Sequence, residues 1–253
     1  MFEWLFKSKR NQHKHSTFIH NNDQLKVLCI YVSYNIDDDD IRFIEANKGF
    51  CNMVVIESLN VPSLSNMKVQ NIEGITYQTR QNIGYDATSW KEYVLDNIDD
   101  IRTYDYVLFV NNSCRYDFRI EDTIKDMRKK GATFYGLNRS DEITDHIQSF
   151  YIAVHKSITN TAAFYDHWRD MKPITGRQSA IRNHELAFTQ HMKDAGAIIG
   201  SLTTSDLLKN TYVSEAYHIG MKTLPPFMKK KLLIQGANRT KYLYLLDRLP
   251  HMI

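Results

Sequence analysis

The feature that most restricts how this chain folds is its rhythm: between residues 25 and 200, short apolar runs alternate with stretches whose apolar residues recur every three or four positions. Val27–Val32, Met53–Ile56, Tyr106–Val110, Thr133–Leu137, Phe150–Val154 and Ala197–Ile199 read as strands. Between them Trp90, Tyr93, Val94 and Ile98 keep helical spacing after a cap at Asp86, and Ile120, Ile124 and Met127 do so after Asp117. Phe164, Trp168 and Met171 form a third stripe, and a fourth helix is expected from near His184 to Ala195, closed by Gly196. Parallel neighbours need long crossovers, and in compact domains those are helices, so the pattern predicts an α/β fold with a mainly parallel central sheet flanked by helices. With 253 residues, 43% of them hydrophobic, the chain has material for one such core. The expected organisation is a polar arm over 1–24, a domain over 25–220, and a basic helical extension over 221–253 after Pro225 and Pro226.

No apolar run reaches the length of a membrane span, and Met1–Phe6 is too short for a signal peptide, so a cytoplasmic protein is expected. Cys29, Cys51 and Cys114 lack the spacing of a disulfide framework or zinc site, and the first and second lie in apolar runs that suit buried thiols. The net charge of +3 is unevenly spread: residues 221–253 hold seven Lys or Arg against one acid, and residues 1–26 five against two. Basic ends set beside Phe2, Trp4, Phe227, Tyr242 and Leu245 suit an anionic inner membrane surface, and equally a solvated arm and an ordinary packed helix. No recognisable nucleic-acid-binding module accompanies the charge, so no nucleic-acid partner is expected.

Neither GxGxxG nor GxxxxGK[ST] occurs, which argues against a dinucleotide dehydrogenase and a P-loop enzyme. In open α/β sheets ligands sit beyond the carboxyl ends of the strands, and the segments there are polar. After the first strand, Tyr34 and Asn35 are candidate base or ribose contacts, while the run Asp37–Asp40 reads as a helix start. Arg80, Asn82, Gly84 and Asp86 offer a guanidinium, an amide and a backbone free of a side chain to a diphosphate, or equally a turn capped by Asp86. Asn111, Asn112 and Ser113 follow a strongly apolar strand and bring oxygens that suit magnesium or manganese, though less well than carboxylates. His146, Gln148 and Ser149 enter the next strand, and His184 and Glu185 open a helix.

In this order the pieces resemble the rhamnan synthesis protein F family of bacterial polysaccharide glycosyltransferases, across residues 26–235. The resemblance rests on N-x-G-Y-D-x-x-x-W-K from Asn82 to Lys91, on Y-D-Y-V-L-F-V before Asn111–Ser113, on H-x-Q-S-F from His146, on Glu185, and on Pro226-Phe227-Met228-Lys229. It implies a GT-A-like fold and inverting transfer of a sugar, typically rhamnose from a donor such as dTDP-rhamnose, to a cell-surface glycan or lipid-linked acceptor. Arg80, Asn82 and Gly84 would line the donor pocket, and Trp90, Lys91, His146, Gln148 and Ser149 would lie nearer the sugars. Glu185, with His184 beside it, would be the general base. The family reads N-D-S where this chain has Asn111, Asn112 and Ser113, so a Mg2+ or Mn2+ ion held by Asn111, Ser113 and His218 would lack the family's carboxylate. Arg80, Lys91, Arg115 or His218 would then share the task of neutralising the leaving diphosphate. Two other readings are a non-catalytic scaffold of a polysaccharide assembly complex, suggested by Asn112, and a nucleotidyltransferase or sugar-nucleotide hydrolase using Asp37–Asp40.

Overall fold

The computed structural model describes residues 25–59, 67–141, 143–203 and 227–230. The first half runs β1 (Val27–Ser33), α1 (Asp38–Asn47), β2 (Asn52–Leu59), α2 (Met67–Gln70), β3 (Ile75–Gln81), α3 (Tyr85–Asp96), α4 (Ile98–Ile101) and β4 (Tyr106–Asn111). It continues with β5 (Cys114–Tyr116), α5 (Ile120–Lys129), β6 (Phe134–Ser140), β7 (His146–Ile147), β8 (Tyr151–His155), α6 (Lys156–Thr159) and α7 (Ala162–Asp170). A helical stretch of α8 (Arg177–Ala180), a π turn (Ile181–Leu186) and α9 (Ala187–Asp194) then leads to β9 (Ile199–Thr203), and β10 (Phe227–Lys229) closes the described chain.

The sheet order is β3-β2-β1-β4-β8-β6-β7, with β9 on β6. The four strands from β3 to β4 are parallel, β8 is antiparallel to both β4 and β6, and β9 is parallel to β6. β1 is apolar almost throughout because both its faces are covered. Val27, Cys29 and Tyr31 face a layer built from Phe43 and Ile44 of α1 and Ile120, Ile124 and Met127 of α5. Leu28, Ile30 and Val32 face Trp90 and Val94 of α3, Phe164 and Trp168 of α7, and Phe188 and Met192 of α9. The Phe109 ring packs 5.0 Å from Trp168 and 5.8 Å from Trp90. Truncating such a side chain to Ala costs about 3–5 kcal/mol. Cys29, Cys51 and Cys114 are buried free thiols, as their apolar setting suggests for the first two.

Asp37–Asp40 is a helix start, as the sequence reads. The Asp37 carboxylate accepts from the backbone N–H groups of Asp39 and Asp40, and Asp40 accepts from that of Asp37. Other expected ends move. Helix α3 begins at Tyr85 with Gly84 at its cap, so Asp86 lies inside the first turn and does not cap it. Helix α5 is capped from a distance: Asn47 Oδ1 accepts from Ile120 N at 2.7 Å, while Asp117 pairs with Arg115. The helix expected from His184 starts at Arg177, and the strand expected at 197–199 occupies Ile199–Thr203. β3 is a polar edge strand with little apolar signal.

The expected helical extension is corrected for its described part. Phe227–Lys229 is a strand, antiparallel to β5, with Lys229 opposite Cys114 and Phe227 opposite Tyr116. Phe227 is buried against Phe150, and Lys230 reaches the Asp37 and Asp40 carboxylates. These residues therefore complete the domain expected to end at 220. The arm over 1–24 and the remainder of 221–253 lie outside the described residues.

Candidate active site

The parallel strands end at one edge of the sheet, where α3, the loop after β4, the turn into β8 and the π turn surround a cleft of about 250 Å³. Its lining includes Tyr85, Asp86, Trp90, Asn111, Ser113, Gln148, Ser149, Phe150, Arg177, Ile181, His184, Glu185 and Lys229. Its entry is shaped by two successive left-handed residues, Gly84 at φ 76° and Tyr85 at φ 59°. A Cβ on Gly84 would fall 2.1 Å from Thr88 Oγ1, so only glycine fits. Left-handed backbone at a residue with a Cβ costs roughly 1–2 kcal/mol, and at Tyr85 it accompanies a ring that lines the cleft.

One cluster begins at Asp86. Asn111 Nδ2 donates to its Oδ2 at 2.6 Å, and Asn111 Oδ1 in turn accepts from Ser113 N at 3.0 Å and Ser113 Oγ at 2.6 Å. Lys229 Nζ donates to Ser113 Oγ at 3.2 Å and sits 3.8 Å from the centre of the Phe150 ring, a cation–π distance. Loss of solvent pushes the Asp86 carboxyl up to about 6, with Asn111 and the Lys229 charge pulling the other way. It is therefore poised to exchange a proton near neutral pH.

The second cluster is centred on Glu185, whose side chain is 19% exposed. Its Oε2 accepts from both the backbone N–H and the hydroxyl of Ser149 at 2.8 Å, and its Oε1 lies 3.4 Å from His146 Nε2. Burial alone would raise its pKa, but the His146 and Ser149 donors outweigh burial and hold it below the usual carboxylate range. Burial likewise works to lower the His146 pKa, and the bonds to Glu185 and to Thr144 O, 2.7 Å from Nδ1, lift it instead. Both ring nitrogens face acceptors, which the protonated ring alone can satisfy. The π turn that carries Glu185 widens the helix at this point, a distortion frequent where function needs it.

His184 forms part of a histidine chain behind the cleft. His184 Nδ1 lies 3.3 Å from His167 Nε2, and His167 Nδ1 lies 3.1 Å from His191 Nδ1 at the surface. Burial drives the pKa of His184 down to about 4 and that of His167 to about 2, so both rings are neutral. His184 Nε2 is buried without a hydrogen-bond partner among the described residues, leaving it for a ligand in the cleft.

Of the residues singled out from sequence, Asp86, Trp90, Asn111, Ser113, Gln148, Ser149, His184 and Glu185 line this cleft. Trp90 does so from the core, with its indole N–H on Ile30 O. His146 stands behind Glu185. Tyr34 and Asn35 lie at the end of β1, outside the lining, with Asn35 O facing Asn112 Nδ2. Arg80 turns into the fold and binds Glu92, Ser89 Oγ and Ile83 O, and Asn82 continues the sheet through its N–H to Leu59 O. Lys91 holds the carbonyls of Arg169 and Met171, and Arg115 pairs with Asp117. Sequence reasoning gave no site role to Tyr85, Phe150, Arg177 or Lys229. Tyr85, Phe150 and Lys229 do stand inside the motifs that carry the family resemblance, which is the sequence signal that marks them.

The fit of Asn111–Ser113 to a divalent cation is poor. Asn111 Oδ1 already takes two donors, Asn112 turns its amide toward Asn35 and Asp40, and Ser113 Oγ receives the Lys229 ammonium. No group of three or more His, Cys, Asp or Glu among the described residues is placed to hold a metal, and His218 lies outside them.

Solved structures resemble this chain to differing degrees. The glycosyltransferase GlyE of Streptococcus pneumoniae TIGR4 superposes with a TM-score of 0.50 at 12% identity, over 88% of this chain and 61% of GlyE. A protein of Desulfovibrio desulfuricans G20 described as a nucleotide-diphospho-sugar transferase gives 0.42 at 10% identity, over 88% and 98% of the two chains. Mouse xyloside xylosyltransferase 1 gives 0.42 at 7%, over 80% and 97%. The chain thus spans about three fifths of the length of GlyE. The fold is the GT-A fold of nucleotide-sugar transferases. No curated protein matches in sequence. The family model of rhamnan synthesis protein F matches residues 57–252, which spans β3, both clusters of the cleft and the strand that carries Lys229, and on that match the chain belongs to the rhamnan synthesis protein F family.

Proposed function

We propose that this protein transfers a sugar from a nucleoside-diphosphate donor to a hydroxyl of a glycan or lipid-linked acceptor, with inversion at the anomeric carbon. The observation that carries the reading is the division of one cleft into a cationic, amide-rich cluster and a separate carboxylate held ionised by Ser149 and His146. Transfer needs both. Negative charge develops on the leaving diphosphate, which the first cluster can meet, and the acceptor hydroxyl must lose a proton, which a positioned carboxylate can take.

In this reading Glu185 is the base and Asp86 accepts hydrogen bonds from donor hydroxyls. His184 Nε2 and Gln148 face the sugars. The family description favours rhamnose, and the apolar surfaces of Phe150, Ile181 and Trp90 suit the methyl group of a deoxysugar. Supply as dTDP-rhamnose and a place on the cytoplasmic side of an anionic membrane are the corresponding proposals, the latter resting on the basic ends. No helix among the described residues is long and apolar enough to cross a membrane.

The test is thermal denaturation of the full chain with dTDP-rhamnose, UDP-glucose and UDP-galactose. A donor at one hundred times its Kd stabilises the folded state by about 2.7 kcal/mol. The expected result is a selective rise with one donor, followed by release of its nucleoside diphosphate when acceptor is added. A cooperative transition unmoved by every donor would contradict the proposal, and stabilisation without turnover would return the chain to the scaffold reading.

A further inference from the structure

A chain of three histidines runs from the back of the cleft to the surface, and its contacts fix what each ring can offer. His184 Nδ1 lies 3.3 Å from His167 Nε2, and His167 Nδ1 lies 3.1 Å from His191 Nδ1. A neutral imidazole has one N–H, so each contact needs one nitrogen with a hydrogen and one without. Burial keeps His167 and His184 neutral, with the Lys91 charge near the first and the Glu185 charge near the second. Two arrangements then satisfy both contacts. In one, His191 Nδ1 donates to His167 Nδ1, His167 Nε2 donates to His184 Nδ1, and His184 Nε2 carries a hydrogen. In the other both donations are reversed, and His184 Nε2 is bare. The surface ring is thereby coupled to the one His184 nitrogen that the chain does not use.

That nitrogen is buried and has no hydrogen-bond partner among the described residues. The ring packs on Trp90, Trp168 and Phe188, with centroids 5.6, 5.3 and 5.4 Å away, and its Nδ1 edge is turned to His167, which leaves the Nε2 side to the cleft. Trp168 Nε1 is also buried without a partner, but Trp168 does not line the cleft and His184 does. An unsatisfied buried polar atom is costly, and a ligand that pairs with it recovers the cost on binding. A group that meets either arrangement must both donate and accept. A hydroxyl does so, whereas an ionised diphosphate oxygen only accepts. Depth distinguishes the two sugars of a transfer. His184 is 2% exposed against 19% for the Glu185 side chain, so the sugar that reaches His184 sits further in than the acceptor hydroxyl that meets Glu185.

Building on the glycosyltransferase reading, we infer that His184 is a specificity-determining residue whose Nε2 exchanges a hydrogen bond with a ring hydroxyl of the donor sugar, and that His167 and His191 are positioning residues that set the direction of that bond. No covalent bond is made or broken at the imidazole, and removal of the acceptor proton stays with Glu185. A donor sugar without a hydroxyl at that place leaves Nε2 unpaired and is discriminated against.

The test is calorimetric titration of the full-length protein with dTDP-rhamnose, UDP-glucose, UDP-galactose, dTDP and UDP, on the wild type, His184→Phe, His184→Gln and His191→Ala. His184→Phe keeps a packed ring and removes its nitrogens, so the nucleotide sugar that the wild type binds should lose about tenfold in affinity while the matching nucleoside diphosphate binds as before. His184→Gln brings an amide that donates and accepts, and it should restore most of the loss, which packing alone would not require. Nitrogen NMR of histidine-labelled protein reads the coupling: the His184 ring signals should move in His191→Ala, although residue 191 is not in the cleft lining. His191→Ala alters a surface residue, so this reading stands even if His184→Phe does not fold. Equal loss for the nucleotide sugar and its diphosphate, or loss for neither, would overturn the role of His184, and His184 signals indifferent to residue 191 would overturn the coupling, both with the donor reading intact. A folded wild type that binds no nucleotide sugar and neither diphosphate would overturn the donor reading and this inference together.

Discussion

Two carboxylates share one cleft and are treated in opposite ways. Glu185 is surrounded by donors, with two from Ser149 and one from His146, and its acidity is strengthened. Asp86 receives one amide N–H from Asn111 and is cut off from solvent, and its pKa is raised to about 6. Environments that push paired acids apart separate their roles. In the proposed reaction the ionised and fixed Glu185 would be ready for an incoming hydroxyl near neutral pH, whereas Asp86 changes charge near pH 6. The supports differ in origin as well. Asp86 rests on the parallel half of the sheet and Lys229, while Glu185 rests on the antiparallel half and the π turn.

Substitutions should break this contrast in a definite order. Glu185→Gln keeps the shape and removes the base, and kcat should fall by about 10²- to 10⁴-fold in a steady-state transfer assay. Asp86→Asn should weaken donor binding by about tenfold and remove the acid limb near pH 6 from the kcat/KM profile. Its stability effect follows from linkage. The folded-state pKa of Asp86 is raised, so stability falls as pH rises from about 4 to about 6, and at pH 7 the ionised group is a net cost. Asp86→Asn should therefore raise Tm at pH 7, by about 1–3 kcal/mol of stability, and change it little at pH 4. Ser149→Ala removes one donor to Glu185 and should lower kcat by about tenfold with KM for the donor nearly constant. Smallest of all, Asn112→Asp should leave turnover in EDTA unchanged, because residue 112 faces Asn35 and Asp40 and not the cleft.

Much of the frame was legible in the sequence. The buried runs of β1 and β4, the helix start at Asp37–Asp40 and the turn at Gly84 follow from local patterning, which needs few residues to be read. The site was half legible. Asp86, Asn111, Ser113 and Ser149 sit at strand and helix ends, where polar clusters interrupt apolar runs, whereas His184 and Glu185 lie inside the helical stretch that starts at Arg177. Lys229 was hidden because its strand is three residues long and its partner Ser113 lies 116 positions away. Its neighbours Lys230 and Lys231 made it look like part of a basic helical extension after Pro225 and Pro226. Arg80 and Lys91 misled for the converse reason: composition counts a cation but cannot tell that its bonds go to Glu92 or to backbone carbonyls. The π turn also has no pattern of its own, since it is one widened turn in an otherwise ordinary helix.

The central claim is that donor binding and hydroxyl activation belong to separate clusters of one cleft, and the equilibrium affinity of Glu185→Gln for the stabilising nucleotide sugar tests it most directly. A Kd within about twofold of the wild type, beside the loss of turnover, is the predicted result, since a base that acts on the acceptor contributes to the transition state and not to donor binding. Donor affinity falling in parallel with rate would contradict it and place Glu185 in the donor site.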